Sequence, residues 1–255
     1  MTLISNVIKA LQLIDQQGLG VLRSFNKGYS LSSNQIVNGI GSYCNTFGTI
    51  IDVGANQGQF AIASNKRFPT ATVISFEPLP ELYDKFRRHV GHNEKIIIHN
   101  VALGNEKGVI DFYRNEHSHA SSALIISERQ KIEFPETSKT TKVQVQVNRL
   151  DDILAEKGLV GPILLKLDVQ GYEKRVLEGA TSLLPHIDYI VFETSFISMY
   201  EGEPLFDEMH TFLKSSGFEL LAPVGLLEGD NSIILQIDFL YRNGSKESGT
   251  ASRLN

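Results

Sequence analysis

The stretch Thr49-Ile-Ile-Asp-Val-Gly-Ala-Asn-Gln-Gly-Gln-Phe60 decides how the rest of the chain is read. Ile50, Ile51 and Val53 form a short apolar run of the kind a buried parallel strand shows. Asp52 interrupts that run, and a buried strand does not take a carboxylate without a partner. Gly54, Ala55 and Gly58 then break the strand, and Gln59, Phe60, Ala61, Ile62 and Ala63 resume as a helix. Glycines let the backbone turn tightly and leave room for a ligand beside it. The helix that follows aims free N–H groups and its positive dipole end at whatever binds there.

Two ligand classes fit such a turn. The dinucleotide fingerprint is G-x-G-x-x-G, with a pyrophosphate on the helix N-terminus. Here the spacing is G-x-x-x-G and the middle glycine is absent. A carboxylate two positions before the first glycine would repel a pyrophosphate. It suits a ligand with a cationic ammonium near the loop, such as S-adenosylmethionine. Asp52-Val-Gly54-Ala-Asn-Gln-Gly58 resembles the first motif of class I methyltransferases, D/E-x-G-x-x-x-G. The alternatives at this point are an ordinary strand–helix turn, an NAD(P)- or nucleotide-sugar-binding oxidoreductase on a Rossmann-like sheet, and a non-catalytic binding module.

Composition narrows the class. With 42% hydrophobic and 21% charged residues the chain reads as a soluble globular protein, and its 255 residues make one α/β domain or two small ones. A net charge of −5 argues against a nucleic-acid-binding surface. Cys44 is the single cysteine, which excludes an internal disulfide and a multi-cysteine zinc site and fits a reducing, cytoplasmic setting. No run is long and apolar enough to span a bilayer. Leu3, Ile4, Val7, Ile8, Leu11 and Ile14 share one helical face opposite Lys9, Gln12, Asp15 and Gln16. That is an amphipathic helix for packing on the domain or on a second subunit of a homodimer, not the continuous apolar core of a signal peptide.

Residues 1–48 are therefore expected to be an N-terminal helical cap, with a loop over Gly18–Ser33 and a second short helix from Ile36 to Phe47. After the glycine turn, helix and strand alternate. Strands are expected at Ala71–Phe76, Ile96–Val101, Pro162–Leu167 and Ile187–Phe192. Helices are expected after Gly58, at Pro80–Val90, at Leu150–Glu156, after Glu173 through Val176 and Leu177 to Leu184, and at Pro204–Lys214. Phe218–Ala222 and Ser232–Tyr241 read as a closing antiparallel pair, and 244–255 as a polar, disordered tail. Between about residues 108 and 147 the pattern changes. Val109–Tyr113 and Thr141–Val147 alternate as β-strands around a polar stretch containing His117 and His119. That stretch has the character of a lid inserted over the site, mobile without ligand.

Acidic residues stand at the ends of three of these strands: Glu77, Asp168 and Glu193. In open α/β sheets ligands bind at the carboxyl ends of the strands, so these carboxylates should converge on one crevice. Taken with Phe76-Glu-Pro78, Asn100-Val-Ala-Leu-Gly104, Leu165-Lys-Leu-Asp-Val-Gln-Gly-Tyr-Glu173, Val176-Leu-Glu-Gly-Ala180 and Phe192-Glu193, the chain resembles the FkbM family of S-adenosylmethionine-dependent methyltransferases from about Thr49 to Tyr241. Family members often carry Glu where this chain has Gln170, so no catalytic weight is placed on that residue.

The resemblance implies a class I (Rossmann-like) sheet, mostly parallel with an antiparallel C-terminal strand. It implies an O-methyltransferase acting on hydroxyls of sugars, glycans or polyketide-type metabolites. The cofactor is expected against Asp52, Gly54, Ala55, Asn56, Gly58, Gln59 and Phe60, with its ribose at Glu77 and Pro78 and its adenine beside Ala102 and Leu103. Asp168 is the first candidate for the base that takes the acceptor's proton, or else orients the cofactor or pairs with Lys166. Glu193 is the second candidate, and His117 or His119 could serve from the lid. No ligand spacing requires a metal, and none is expected.

Overall fold

The computed structural model describes residues 30–154, 158–228 and 233–246. The amphipathic segment over residues 3–14 and the tail beyond residue 246 lie outside them. At the centre is a seven-stranded sheet. Its strands are β1 (Thr49–Val53), β2 (Thr72–Phe76), β3 (Ile96–His99), β7 (Ile163–Leu167), β8 (Tyr189–Ser195), β9 (Phe218–Glu228) and β10 (Ile234–Asn243), in the order β3-β2-β1-β7-β8-β10-β9. The first five are mutually parallel, and β10 runs antiparallel to both β8 and β9. Chain order reverses between β1 and β7, which opens a crevice beyond their carboxyl ends.

β1 and β7 are buried at every position, as strands covered on both faces must be. One face packs Ile51, Val53, Leu165, Leu167, Phe192 and Tyr241 beneath α6 (Glu173–Glu178) and α7 (Phe206–Ser215). Helix α7 contributes Met209 and Leu213, a pair four residues apart and thus on one stripe. The opposite face packs Ile50, Val73, Leu164, Val191 and Leu240 against α1 (Leu31–Gly41), α2 (Gln59–Arg67) and α3 (Pro80–Val90). Each large side chain buried this way contributes about 1.5–3 kcal/mol. Helix α3 follows the expected bounds because its signals are local. Pro80 opens it, Glu81 lies in its first turn and Arg87, Arg88 and His89 in its last, each sign matched to the helix dipole.

Several boundaries differ from the sequence reading. Helix α1 spans Leu31–Gly41 rather than Ile36–Phe47, because the Ser30 hydroxyl accepts from Ser33 N and caps it early. Phe47 is buried all the same, edge-on to Phe68 at 4.9 Å. Helix α6 stops at Glu178 instead of running to Leu184; Gly179 caps it, its N–H donating back to the Arg175 and Val176 carbonyls, and it packs so close to the Gly104 carbonyl that a Cβ would sit 1.9 Å away. Strand β8 continues to Ser195, so Glu193 lies within it and not at its end.

The inserted region forms a second sheet in the order β4-β6-β5, from β4 (Ala102–Leu103), β6 (Thr140–Asn148) and β5 (Gly108–Asn115). The segment between β5 and β6 reads as polar in sequence. Instead it folds into a short helix, α4 (Glu128–Glu133), and its Leu124, Ile126 and Phe134 pack with Met199, Tyr200 and Leu235. Helix α5 (Leu150–Leu154) leads back to β7. No helix among the described residues is long and apolar enough to cross a membrane.

Candidate active site

The glycine turn is stitched to the end of β2. Gly54 N and Ala55 N both donate to the Phe76 carbonyl, at 3.1 and 3.0 Å. Gly54 has φ +77°, and a Cβ there would stand 1.9 Å from the Asp168 carbonyl oxygen, so only glycine fits. Gly58 starts α2 at φ +88°, where a Cβ would strike the Phe86 ring at 2.1 Å. Between them the Asn56 N–H donates to Oε2 of Glu77 at 2.8 Å, and Leu79 N donates to Oε1 at 2.9 Å. Burial pushes the Glu77 carboxyl up to about 7 against these two donors. A carboxylate has about four lone-pair sites, so two remain for a diol such as a ribose. Ala102 and Leu103, expected in a turn, form the short strand β4 and supply an apolar wall with Leu82, Ile110 and Phe112.

Across the switch point lies a row of charge. Asp52 and Lys166 are register partners on β1 and β7. The Lys166 ammonium lies 3.1 Å from Asp52 and 3.4 Å from Asp168, and it also donates to the Val53 and Gly54 carbonyls. Burial alone would lower the lysine's proton affinity, but Asp52 and Asp168 outweigh it and raise it. The lysine therefore stays charged, and its charge opposes the burial that pushes Asp52 up. This supplies the partner that the sequence demanded for Asp52. The Asp52 side chain is 0% exposed and faces Lys166 rather than the open crevice.

Asp168 follows β7 and is 42% exposed at its side chain. Its Oδ2 faces Lys166, and its Oδ1 accepts from the Gln170 amide at 2.8 Å. Glu193 Oε2 accepts from Gln170 at 2.9 Å and from Gln236 at 3.1 Å. Its Oε1 has no hydrogen-bond partner among the described residues. Opposite Glu193 in the antiparallel register stands Asp238, and opposite Asp238 stands Gly225. Burial first, then the charges of Asp168, Asp238 and Glu173, pushes the Glu193 carboxyl well up. Asp238 is pushed to about 7 by burial and by Asp168.

These groups line one crevice of about 960 Å³. It runs from Ala102 and Phe112 past Gly54, Glu77 and Asp168 to Glu193, Asp238 and Leu227. Of the residues singled out from the sequence, Gly54, Ala55, Asn56, Gln59, Phe60, Glu77, Pro78, Ala102, Leu103, Asp168, Glu193 and His119 line it. Gly58 shapes the turn from beneath, and His117 is exposed outside the lining, its N–H held by Asn115. The hydroxyl of Ser118, between the two histidines, donates to Oδ1 of Asn56 at 3.1 Å. Sequence reasoning missed Asp238, Gln236 and Tyr200 and discounted Gln170. Asp238 carried one visible signal, an acid inside an otherwise apolar strand. Among the described residues no group of three or more His, Cys, Asp or Glu is arranged to hold a metal ion.

Comparison with known proteins points to one family. Residues 52–220 match the model of the methyltransferase FkbM domain. The 2-O-methyltransferase NoeI of Sinorhizobium fredii is 30% identical over 189 residues, covering 71% of this chain and 76% of that protein. The 31-O-demethyl-FK506 methyltransferase FkbM of Streptomyces tacrolimicus is 26% identical over 197 residues, 68% of this chain and 73% of its own length. Hexuronic acid methyltransferase AglP of Haloferax volcanii is 30% identical over 146 residues, 56% of this chain and 54% of that one. The fold is shared with Sp1610 of Streptococcus pneumoniae, solved in complex with S-adenosyl-L-methionine, at a TM-score of 0.50 and 14% identity over 88% of this chain and 76% of that one.

Proposed function

The chain belongs to the FkbM family of S-adenosylmethionine-dependent methyltransferases, and from that premise we propose that it methylates a hydroxyl of a sugar, glycan or secondary metabolite. Membership sets aside the oxidoreductase alternative. Residues 49–243 are read as the methyltransferase unit, with 108–147 as its insertion and 1–48 as a cap. S-adenosylmethionine, when bound, supplies an electrophilic methyl carbon. The Gly54–Phe60 turn would hold its amino-acid end, Glu77 and Pro78 its ribose, and Ala102 and Leu103 its adenine. Asp52 acts on it through Lys166, which fixes the turn's carbonyls. The names of NoeI, FkbM and AglP support an oxygen acceptor on a saccharide or a polyketide-like molecule.

One observation carries the division of labour: Glu193 has a free oxygen in the crevice, whereas both Asp168 oxygens are engaged. A base needs an open lone pair and a proton affinity near the working pH, and burial has moved Glu193 in that direction. Glu193 accepts the acceptor's hydroxyl proton. Asp168 holds the cofactor-facing side of the centre, and His117 stands outside it. Methyl transfer from radiolabelled cofactor across a panel of monosaccharides, nucleotide sugars and polyketide alcohols tests the reading. Label on a hydroxyl oxygen supports it, and label found only on nitrogen or carbon acceptors overturns it.

A further inference from the structure

Gln170 joins four parts of the molecule through one side chain and one carbonyl. Its Nε2 donates to Asp168 at 2.8 Å and to Glu193 at 2.9 Å, and its Oε1 accepts from the Tyr200 hydroxyl at 2.8 Å. Its backbone carbonyl accepts from the Ser122 hydroxyl, in the insertion, at 2.7 Å. Tyr200 and Ser122 are both fully buried. The two carboxylates, which only accept when ionised, draw the NH2 end of the amide toward them and leave its Oε1 for the Tyr200 hydroxyl. Gln170 holds this place at φ +56°, a left-handed backbone that residues with a Cβ rarely adopt. Strain of that kind persists only where the surroundings over-determine it.

Asp168 and Glu193 come from different strands and carry the same charge. Without a donor between them they would move apart or share a proton. We propose that Gln170 is a positioning residue for methyl transfer, a single amide that clamps Asp168 and Glu193 at a fixed separation and leaves Oε1 of Glu193 free for the acceptor hydroxyl. The proposal rests on the O-methyl-transfer reading above and adds a residue to it. The other groups that bear on Glu193 are Asp238 and the Gln236 amide from β10, Glu173 at the start of α6, and Tyr200 after β8. None of these, by its hydrogen bonds, bridges Asp168 and Glu193.

Two variants test this. Gln170→Glu keeps the shape and the reach to Tyr200 but replaces both donors with a third carboxyl. The acid limb of its kcat–pH profile should move up by about one pH unit or more, the usual effect of an adjacent like charge. Gln170→Asn keeps an amide and suits a left-handed backbone, yet is one methylene too short to span both carboxylates. Its Tm should hold while kcat at saturating cofactor falls about 10²-fold, the loss that follows a displacement of about 1 Å. Carboxyl ¹³C titration of Asp168 and Glu193 in labelled protein needs no acceptor, and the Glu193 midpoint should rise in Gln170→Glu. Unmoved midpoints and an unmoved acid limb would overturn the clamp, as would normal turnover in a folded Gln170→Asn. A raised midpoint in an enzyme that transfers no methyl group to oxygen would keep the clamp and sink the functional reading instead.

Discussion

Between Gly54 and Leu103 the crevice is made of backbone, amide side chains and apolar surface, with one carboxylate, Glu77, whose oxygens are partly spent on backbone N–H groups nearby. Between Lys166 and Asp238 it is made of carboxylates and amides that hold one another. The first half reads a ligand through shape and fixed dipoles, which suit a constant cofactor. The second half reads through proton affinity and charge, which a substitution on a single strand can retune. The two halves should therefore fail separately, one in affinity and the other in turnover.

The largest separation is expected from Glu193→Gln. Turnover at saturating cofactor should fall by about 10²- to 10⁴-fold, the range for loss of a general base. Calorimetric affinity for S-adenosylhomocysteine should stay near wild type. A parallel loss of affinity would merge the halves and return the base role to Asp168. Gly54→Ala attacks the other half. Its Cβ has no place beside the Asp168 carbonyl and its backbone is left-handed, so stability should drop by about 2–5 kcal/mol in urea unfolding, with cofactor affinity lost as well. A variant of wild-type stability would mean that the turn is not held where it is described.

Glu77→Ala is milder. Loss of charge-assisted bonds to a diol, each worth roughly 1.5–3 kcal/mol, should weaken S-adenosylhomocysteine about 10- to 100-fold in calorimetry and leave saturated turnover within a few-fold. Equal affinity would remove the ribose role. The smallest effect sits in the pH dependence of stability. The carboxyls of Glu77 and Asp238 are raised to about 7 and that of Glu173 to about 8 in the folded protein. The folded state then binds more protons than the unfolded state above the ordinary carboxylate range. Their stabilisation is complete below that range and is lost as pH rises through the folded values. Tm should fall by a few degrees between pH 5 and pH 8, at about 2–4 °C per kcal/mol for a chain of this size. Asp238→Asn should flatten part of that slope without changing cofactor affinity, whereas Glu77→Gln should alter both. A slope unchanged in Asp238→Asn would place that carboxylate outside the coupled set.

What was legible follows the same division. The glycine turn, Glu77 and the alternation of strands and helices came from residues adjacent in sequence, whose spacing carries its own geometry. Lys166 and Asp52 were legible as a problem, two charges in apolar strands, and the register pairing of β1 with β7 solved it. Asp238 was not legible, because its place opposite Glu193 depends on how far β10 slides along β8. The insertion misled through composition. Leu124, Ile126 and Phe134 are few, but they meet Met199, Tyr200 and Leu235 from about 70 and 100 residues away, and no local window sees that.

The Ser122 hydroxyl on the Gln170 carbonyl bears on how such enzymes can be recombined. A designer who exchanges the β5–β6 insertion between two relatives, hoping to carry over acceptor preference, also exchanges one wall of the reaction centre's scaffold. An insertion without that hydroxyl, or without residues that reproduce the Ile126–Tyr200 bridge, would leave Gln170 and Tyr200 without partners they meet here. The portable unit is thus discontinuous. Residues 113–126 and 168–203 have to travel together, and a chimera cut at the ends of the insertion alone inherits a foreign lid over a loosened centre.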